Sequence, residues 1–186
     1  IALANDKAGA LPIASVATIG EALRTVAARM NLDEDILFLF LTSHGTPQHD
    51  LKLQQPPMAL RDLPASELGR MLRTSRIRWK VVVVSACYSG GFIDALRDDS
   101  TLIITAARHD RTSFGCADEN DFTYFGRAFF KEALPSSRSF RDAFEKADAL
   151  VGEWERRDLP KEPRSLPQLR STPAIDAHLE RWGAQK

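Results

Sequence analysis

Two stretches of the chain are apolar at nearly every position instead of every second or third: Ile36–Thr42, reading ILFLFLT, and residues 80–86, reading KVVVVSA. A third, TLIITA at 101–106, is shorter. Runs of this length without alternation predict strands buried on both faces, the habit of a parallel sheet with helices above and below. Between them the period changes to that of a helix. Ile19, Leu23, Val26, Ala27 and Met30 predict an amphipathic helix over 15–30, with Thr18 and Glu21 as its capping box. Leu68, Met71 and Leu72 predict another over 63–73, with Pro64 in its first turn. Short helical patterns follow at Phe92–Leu96 and 124–134, and a longer one at 139–156. An LKL stretch at 51–53 predicts a small hairpin strand, and residues 1–5 read as the end of a strand.

Strands alternating with helices predict an α/β fold, a three-layer sandwich around a mostly parallel sheet. At 186 residues the chain is long enough for one domain with a substantial core. We divide it into a core at 1–157 and an irregular, proline-punctuated extension at 158–186, closing on an amphipathic turn or two at 175–182.

In such sheets ligands gather beyond the carboxyl ends of the strands. His44 directly follows the first apolar strand and Cys87 the second. If the two strands are parallel neighbours, about 4.8 Å apart, both side chains stand on one rim. Gly45 follows the histidine, and Gly90 and Gly91 follow the cysteine, permitting tight turns and close backbone approach. The N–H groups of Gly45 and Cys87 are then candidates to face an oxyanion. A cysteine attacks as the thiolate, which a nearby imidazole or helix N-terminus favours. The pattern suits acyl transfer, with Cys87 as nucleophile and His44 as proton donor to the leaving amine. The bland alternative is a small buried cysteine and a hydrogen-bonded histidine, each the commoner case when met alone.

Composition narrows the picture by exclusion. Lys plus Arg balance Asp plus Glu at 25 each, so no basic footprint points to nucleic acid or an anionic membrane. Two cysteines, Cys87 and Cys116, form neither a disulfide framework nor a zinc-ligand spacing, and no metal or cofactor is expected. The chain does not begin with Met, which points to a segment of something longer, so the lack of a targeting signal says little about compartment.

LTSHG after one apolar strand and SACYSGG after the next resemble the His-Gly and Ala-Cys motifs of caspase-like cysteine peptidases, above all the legumain family, peptidase family C13, in its bacterial branch. His44 and Cys87 stand 43 positions apart, close to the family's spacing. TLIITAARHDRTSFGC resembles its strand and substrate-pocket loop, and TYFG at 123–126 also has a counterpart. The resemblance runs from about residue 1 to 130. It implies a caspase/hemoglobinase fold, a catalytic His44–Cys87 dyad, an oxyanion hole using Gly45, and a peptide or protein substrate cleaved through an acyl-enzyme. It also implies one further strand and helix before residue 1, the strand lying near the middle of the sheet. A periplasmic or membrane-associated location through such a preceding region would fit the bacterial branch.

The chain departs from the family pattern at Ser43, where legumains carry Asp, at Ser85, where they carry Glu, and at Arg127, where a pocket acid falls. Ser113 matches a pocket-lining serine. The resemblance thus places Ser43, Ser85, Ser113 and Arg127 at the substrate, and the lost acids predict an acidic or small P1 residue instead of asparagine. Rival readings are a transpeptidase or transamidase of the same fold, a non-catalytic binding module, and a small-molecule thiol hydrolase. Cys116 reads as structural. His49, His109 and His178 read as solvated, although His109 sits in the pocket loop. Trp79, Trp154 and Trp182 read as packing anchors, and Asp118, Glu119 and Asp121 as a solvated acidic cluster with a weak case for calcium.

Overall fold

The computed structural model describes residues 1–5, 9–115 and 122–184. Its centre is a four-stranded sheet in the order β1-β4-β5-β6, built from Ile36–Thr42, Trp79–Ser85, Thr101–Thr105 and Gln168–Arg170. The first three strands are parallel, and β6 runs antiparallel to β5. A two-stranded ribbon pairs β2 (Asp50–Leu51) with β3 (Leu63–Pro64).

Strand β4 is buried at every position, because it has a strand on each side and helices on each face. Val81, Val82, Val83 and Val84 are each 0% exposed. At about 1.5–3 kcal/mol per fully buried aliphatic side chain, this strand is the largest single contributor to the sheet's stability. Alternation divides its side chains between two cores. Val82 and Val84 pack with Ile103 under α1 (Val16–Ala27), α2 (Ala65–Ser75) and α3 (Phe92–Leu96). Val81 and Val83 pack with Leu102 and Ile104 against Phe125 of α4 (Tyr124–Gly126), Phe129, and Ala143, Ala147 and Val151 of α5 (Phe140–Asp158). Helix α6 (Pro173–Ala184) adds Ile175 to this second core.

Several boundaries differ from the sequence reading. The box that opens α1 is made by Ser15 and Thr18: the Thr18 N–H donates to Ser15 Oγ and the Ser15 N–H to Thr18 Oγ1. Glu21 lies on the helix's exposed side instead. Leu63 and Pro64 belong to the ribbon, and Pro64 stands at the N-cap of α2, where its missing N–H costs nothing. The helix expected over 124–134 starts as one α-turn and widens into π-helix over Arg127–Ala133. The extension after residue 157 is not irregular throughout. Ser165 donates its N–H to the buried Glu155 carboxylate and accepts from the Arg108 N–H, which guides the chain into β6 and on to the twelve-residue helix α6.

Residues 1–5 form no strand. Ala4 donates its N–H to Pro12 O, and the Asn5 amide bonds to both main-chain groups of Ala14. The run that forms β1 is apolar on both faces, as in a central strand, yet among the described residues it pairs only with β4. Its outward phenylalanines show this: Phe38 is 43% exposed and Phe40 39%, resting against Phe130 and Phe140.

One histidine and one lysine are structural. His178, 6% exposed and not solvated as expected, stacks on Trp79 at 4.1 Å and hydrogen-bonds the Glu34 carbonyl at 2.8 Å. Lys80, 5% exposed, donates to the Ile77 and Arg78 carbonyls and pairs with Asp98 at 3.1 Å. His49 is half-buried, with partners described below.

Candidate active site

The rim at the carboxyl ends of β1 and β4 is set by sheet register. Thr42 pairs with Ser85, and the Ser43 N–H donates to Ser85 O at 3.3 Å. Past these residues both segments leave the ladder, with bends at Ser43 and Ala86, and the contact between them is Gly45 on the Cys87 main chain. Side chains alternate along a strand, so Thr42 and Ser85 share the face that carries Val81 and Val83. Ser43 falls on the opposite face, where its hydroxyl donates to the Lys52 carbonyl at 2.6 Å. The structure brings Gly45, Cys87 and Ser113 into contact, with His44 preceding Gly45 and Ser85 closing β4, while the Ser43 hydroxyl is engaged elsewhere.

Gly45 lies directly on the Cys87 main chain. A Cβ at Gly45 would stand 2.9 Å from Cys87 C and 3.2 Å from Cys87 N, and nearer still to the carbonyl oxygen. Only glycine fits. Past Gly45 the chain is held by the ribbon, through Lys52 N–H to His44 O at 2.9 Å and Thr46 N–H to Asp50 O at 3.0 Å. Among the described residues neither the Gly45 N–H nor the Cys87 N–H has a hydrogen-bond partner. Two unpaired donors side by side at a strand end can receive a developing oxyanion.

The sulfur of Cys87 is half-exposed and rests on Ser113, whose N–H donates to Sγ at 3.3 Å and whose Oγ lies 3.7 Å away. The Sγ–H points to the Ser113 carbonyl at 3.5 Å. Beneath it, Ser85 Oγ and Thr123 Oγ1 meet at 3.1 Å. Ser113 is 8% exposed and Ser85 1%, so the wall beside the sulfur is neutral and lined with hydroxyls. His44 is exposed, and its imidazole makes no hydrogen bond among the described residues.

Arg127 does not reach this wall. Its guanidinium pairs with Glu132 at 3.3 Å and lies over Trp154 at 5.1 Å. His109 is 60% exposed and sits 4.0 Å from Asp110. Cys116 and the acidic positions 118, 119 and 121 lie outside the described residues. Among those described, no group of three His, Cys, Asp or Glu side chains could hold a metal ion, and no helix is long and apolar enough to cross a membrane.

The turn after Cys87 takes its form from an unexpected residue. Tyr88, not a glycine, adopts the left-handed conformation, with φ 56° and ψ 16°. Gly91 is right-handed, and both glycines serve close packing. A Cβ on Gly90 would collide with His109 N and Gln168 Oε1, and one on Gly91 with the His49 ring. Sequence reasoning missed Tyr88, Thr123 and His49. Their roles depend on contacts across the fold, and only Thr123, the first residue of the TYFG motif, offered a signal.

Comparison with known proteins agrees with this geometry. Residues 19–162 match the family model described as Peptidase C13 family. Among solved structures, the chain is similar to caspase-1 from Spodoptera frugiperda, at 15% identity and a TM-score of 0.64, over 87% of this chain and 69% of that one. At that identity the likeness shows the fold: an α/β caspase-like architecture with a mostly parallel central sheet. The search of curated proteins found no match.

Proposed function

The chain belongs to the peptidase C13 family, a cysteine peptidase family with protein substrates, and on that premise we propose that Cys87 and His44 form its catalytic dyad. The observation that supports the proposal is the packing of Gly45, the residue after His44, on the Cys87 main chain just beyond the paired ends of β1 and β4. In the reaction His44 takes the Cys87 proton, and the sulfur attacks the carbonyl carbon of the scissile peptide bond. The carbonyl electron pair moves to oxygen, which the Gly45 and Cys87 N–H groups receive. Collapse of the tetrahedral species breaks the C–N bond as the His44 imidazolium gives its proton to the leaving amine. Water then attacks the thioester, His44 takes a proton from it, and the carboxylate product leaves with Cys87 restored.

The side chain before the scissile bond would lie against Ser85, Ser113 and Thr123. That wall favours a small, uncharged P1 residue. It gives no support to an acidic one, because Arg127 is engaged by Glu132 and Trp154. The test is covalent labelling of the full chain by an electrophilic peptide with a small P1 residue, followed by peptide mapping. Labelling at Cys87 that vanishes in Cys87→Ala and falls about 100-fold or more in His44→Ala is the expected result. Peptide hydrolysis that survives Cys87→Ala would end the proposal.

A further inference from the structure

His49 stands five residues after His44 and belongs to the same tight loop, yet its imidazole reaches across to the turn that follows Cys87. Its Nδ1 lies 3.2 Å from the Tyr88 carbonyl oxygen. A carbonyl only accepts, so Nδ1 carries the proton in this bond. The ring lies flat in a notch that exists because residue 91 has no Cβ. The backbone of His49 is held from both sides: its N–H donates to Thr46 O at 2.9 Å, and its carbonyl accepts from the Ala65 N–H at 3.1 Å, at the start of α2. With φ 65° it sits in left-handed conformation, as does Tyr88 at 56°. Two strained residues, one in each loop, are joined by one hydrogen bond.

We propose that His49 is a positioning residue that locks the loop carrying His44 to the turn carrying Cys87, with Gly91 as its keyhole. The inference rests on the dyad proposed above. Without the ring, the Gly45–Cys87 main-chain contact still joins the two loops, and among the described residues the Tyr88 carbonyl keeps a single donor, the Gly91 N–H at 3.1 Å. The imidazole of His44 and the sulfur would then drift relative to each other, although neither is touched directly by His49.

The test measures the second-order rate of Cys87 alkylation by iodoacetamide in the full chain, read by peptide mapping so that Cys116 is scored separately, alongside the thermal midpoint. His49→Ala should slow alkylation about five- to tenfold, the scale of one lost hydrogen bond. His49→Asn should restore most of the rate, since asparagine tolerates the left-handed conformation and offers an N–H at the same branch. Gly91→Ala, which fills the notch, should reproduce the His49→Ala loss. In the His44→Ala background, adding His49→Ala should change the rate less than twofold, because the effect passes through the imidazole. If His44→Ala slows alkylation but His49→Ala does not, the lock is wrong and the dyad stands. If His44→Ala has no effect, the dyad itself fails. Equal slowing by His49→Ala in both backgrounds, or a fall in thermal midpoint that His49→Asn does not rescue, would reduce His49 to a structural residue and overturn the proposal.

Discussion

Replacing Gly45 by alanine is the sharpest probe of the site, because the change is one methyl group and its neighbours are main chain. The added Cβ would stand 2.9 Å from Cys87 C and 3.2 Å from Cys87 N, with the carbonyl oxygen closer than either. No flexible side chain is available to yield. To reach ordinary contact, the His44–Gly45 segment must move from Cys87 by roughly 1 Å, and a displacement of that size at a reacting centre costs on the order of 100-fold in rate. The overall fold should survive, because the collision lies at the rim beyond the last residues of β1 and β4. The expected outcome is a Gly45→Ala protein whose thermal midpoint falls by only a few degrees while peptide-probe labelling of Cys87 drops about 100-fold. Gly20→Ala is the control: its added Cβ meets nothing nearer than 3.6 Å, so this helix position should gain up to about 1 kcal/mol. A Gly45→Ala protein that labels within threefold of wild type would refute the packing argument and the oxyanion role together.

Other outcomes follow from single contacts. Arg127→Ala should leave the P1 preference of a peptide library unchanged, and a shift away from acidic residues would restore Arg127 to the pocket. His178→Ala should destabilise by about 2 kcal/mol in chemical denaturation, the sum of a lost hydrogen bond to Glu34 and lost stacking on Trp79. Burial works to raise the pKa of the Asp98 carboxyl, but the Thr101 hydroxyl, the Lys80 ammonium and the Ser100 N–H outweigh it, so the net shift is downward. A carboxyl depressed on folding stabilises the protein above its unfolded value of about 3.9, and that contribution is lost as pH falls through the lower folded value. Asp98→Asn should accordingly flatten the acid limb of a stability–pH curve below about pH 4; an unchanged limb would show that the pair with Lys80 is screened.

The parallel strands were legible in the sequence because a run apolar on both faces has few other places to go, and β1 and β5 begin where the runs begin. What the same runs do not reveal is rank in the sheet. ILFLFLT reads as central, yet among the described residues it pairs on one side only, and its Phe38 and Phe40 rest on Phe130 and Phe140 while staying partly exposed. Ser43 was legible and overlooked: strand alternation alone puts it opposite His44, whereas the family resemblance suggested the pocket. His49 and His178 were not legible. Their partners lie 39 and 144 residues away in sequence, so polar local surroundings gave the wrong answer for both.

The turn after Cys87 explains why so many distant contacts converge on one short segment. A left-handed tyrosine costs about 1–2 kcal/mol relative to a relaxed residue, and such a conformation persists only where its surroundings over-determine it. Here the Tyr88 N–H donates to Arg111 O at 2.7 Å, its carbonyl takes His49 and the Gly91 N–H, and the Gly90 N–H donates to Ala107 O at 2.8 Å. These partners come from the loop after β1, from the loop after β5 and from the turn itself. The extension adds Gln168, pressed on Gly90, and Ser165, which holds the Arg108 N–H. Glycine at 90 and 91 allows these elements to close in, and a side-chain-bearing residue at 88 restricts the backbone that aims the sulfur. On the proposed reading, in which Cys87 meets a carbonyl beside two N–H donors, this bracing fixes the turn that carries the sulfur.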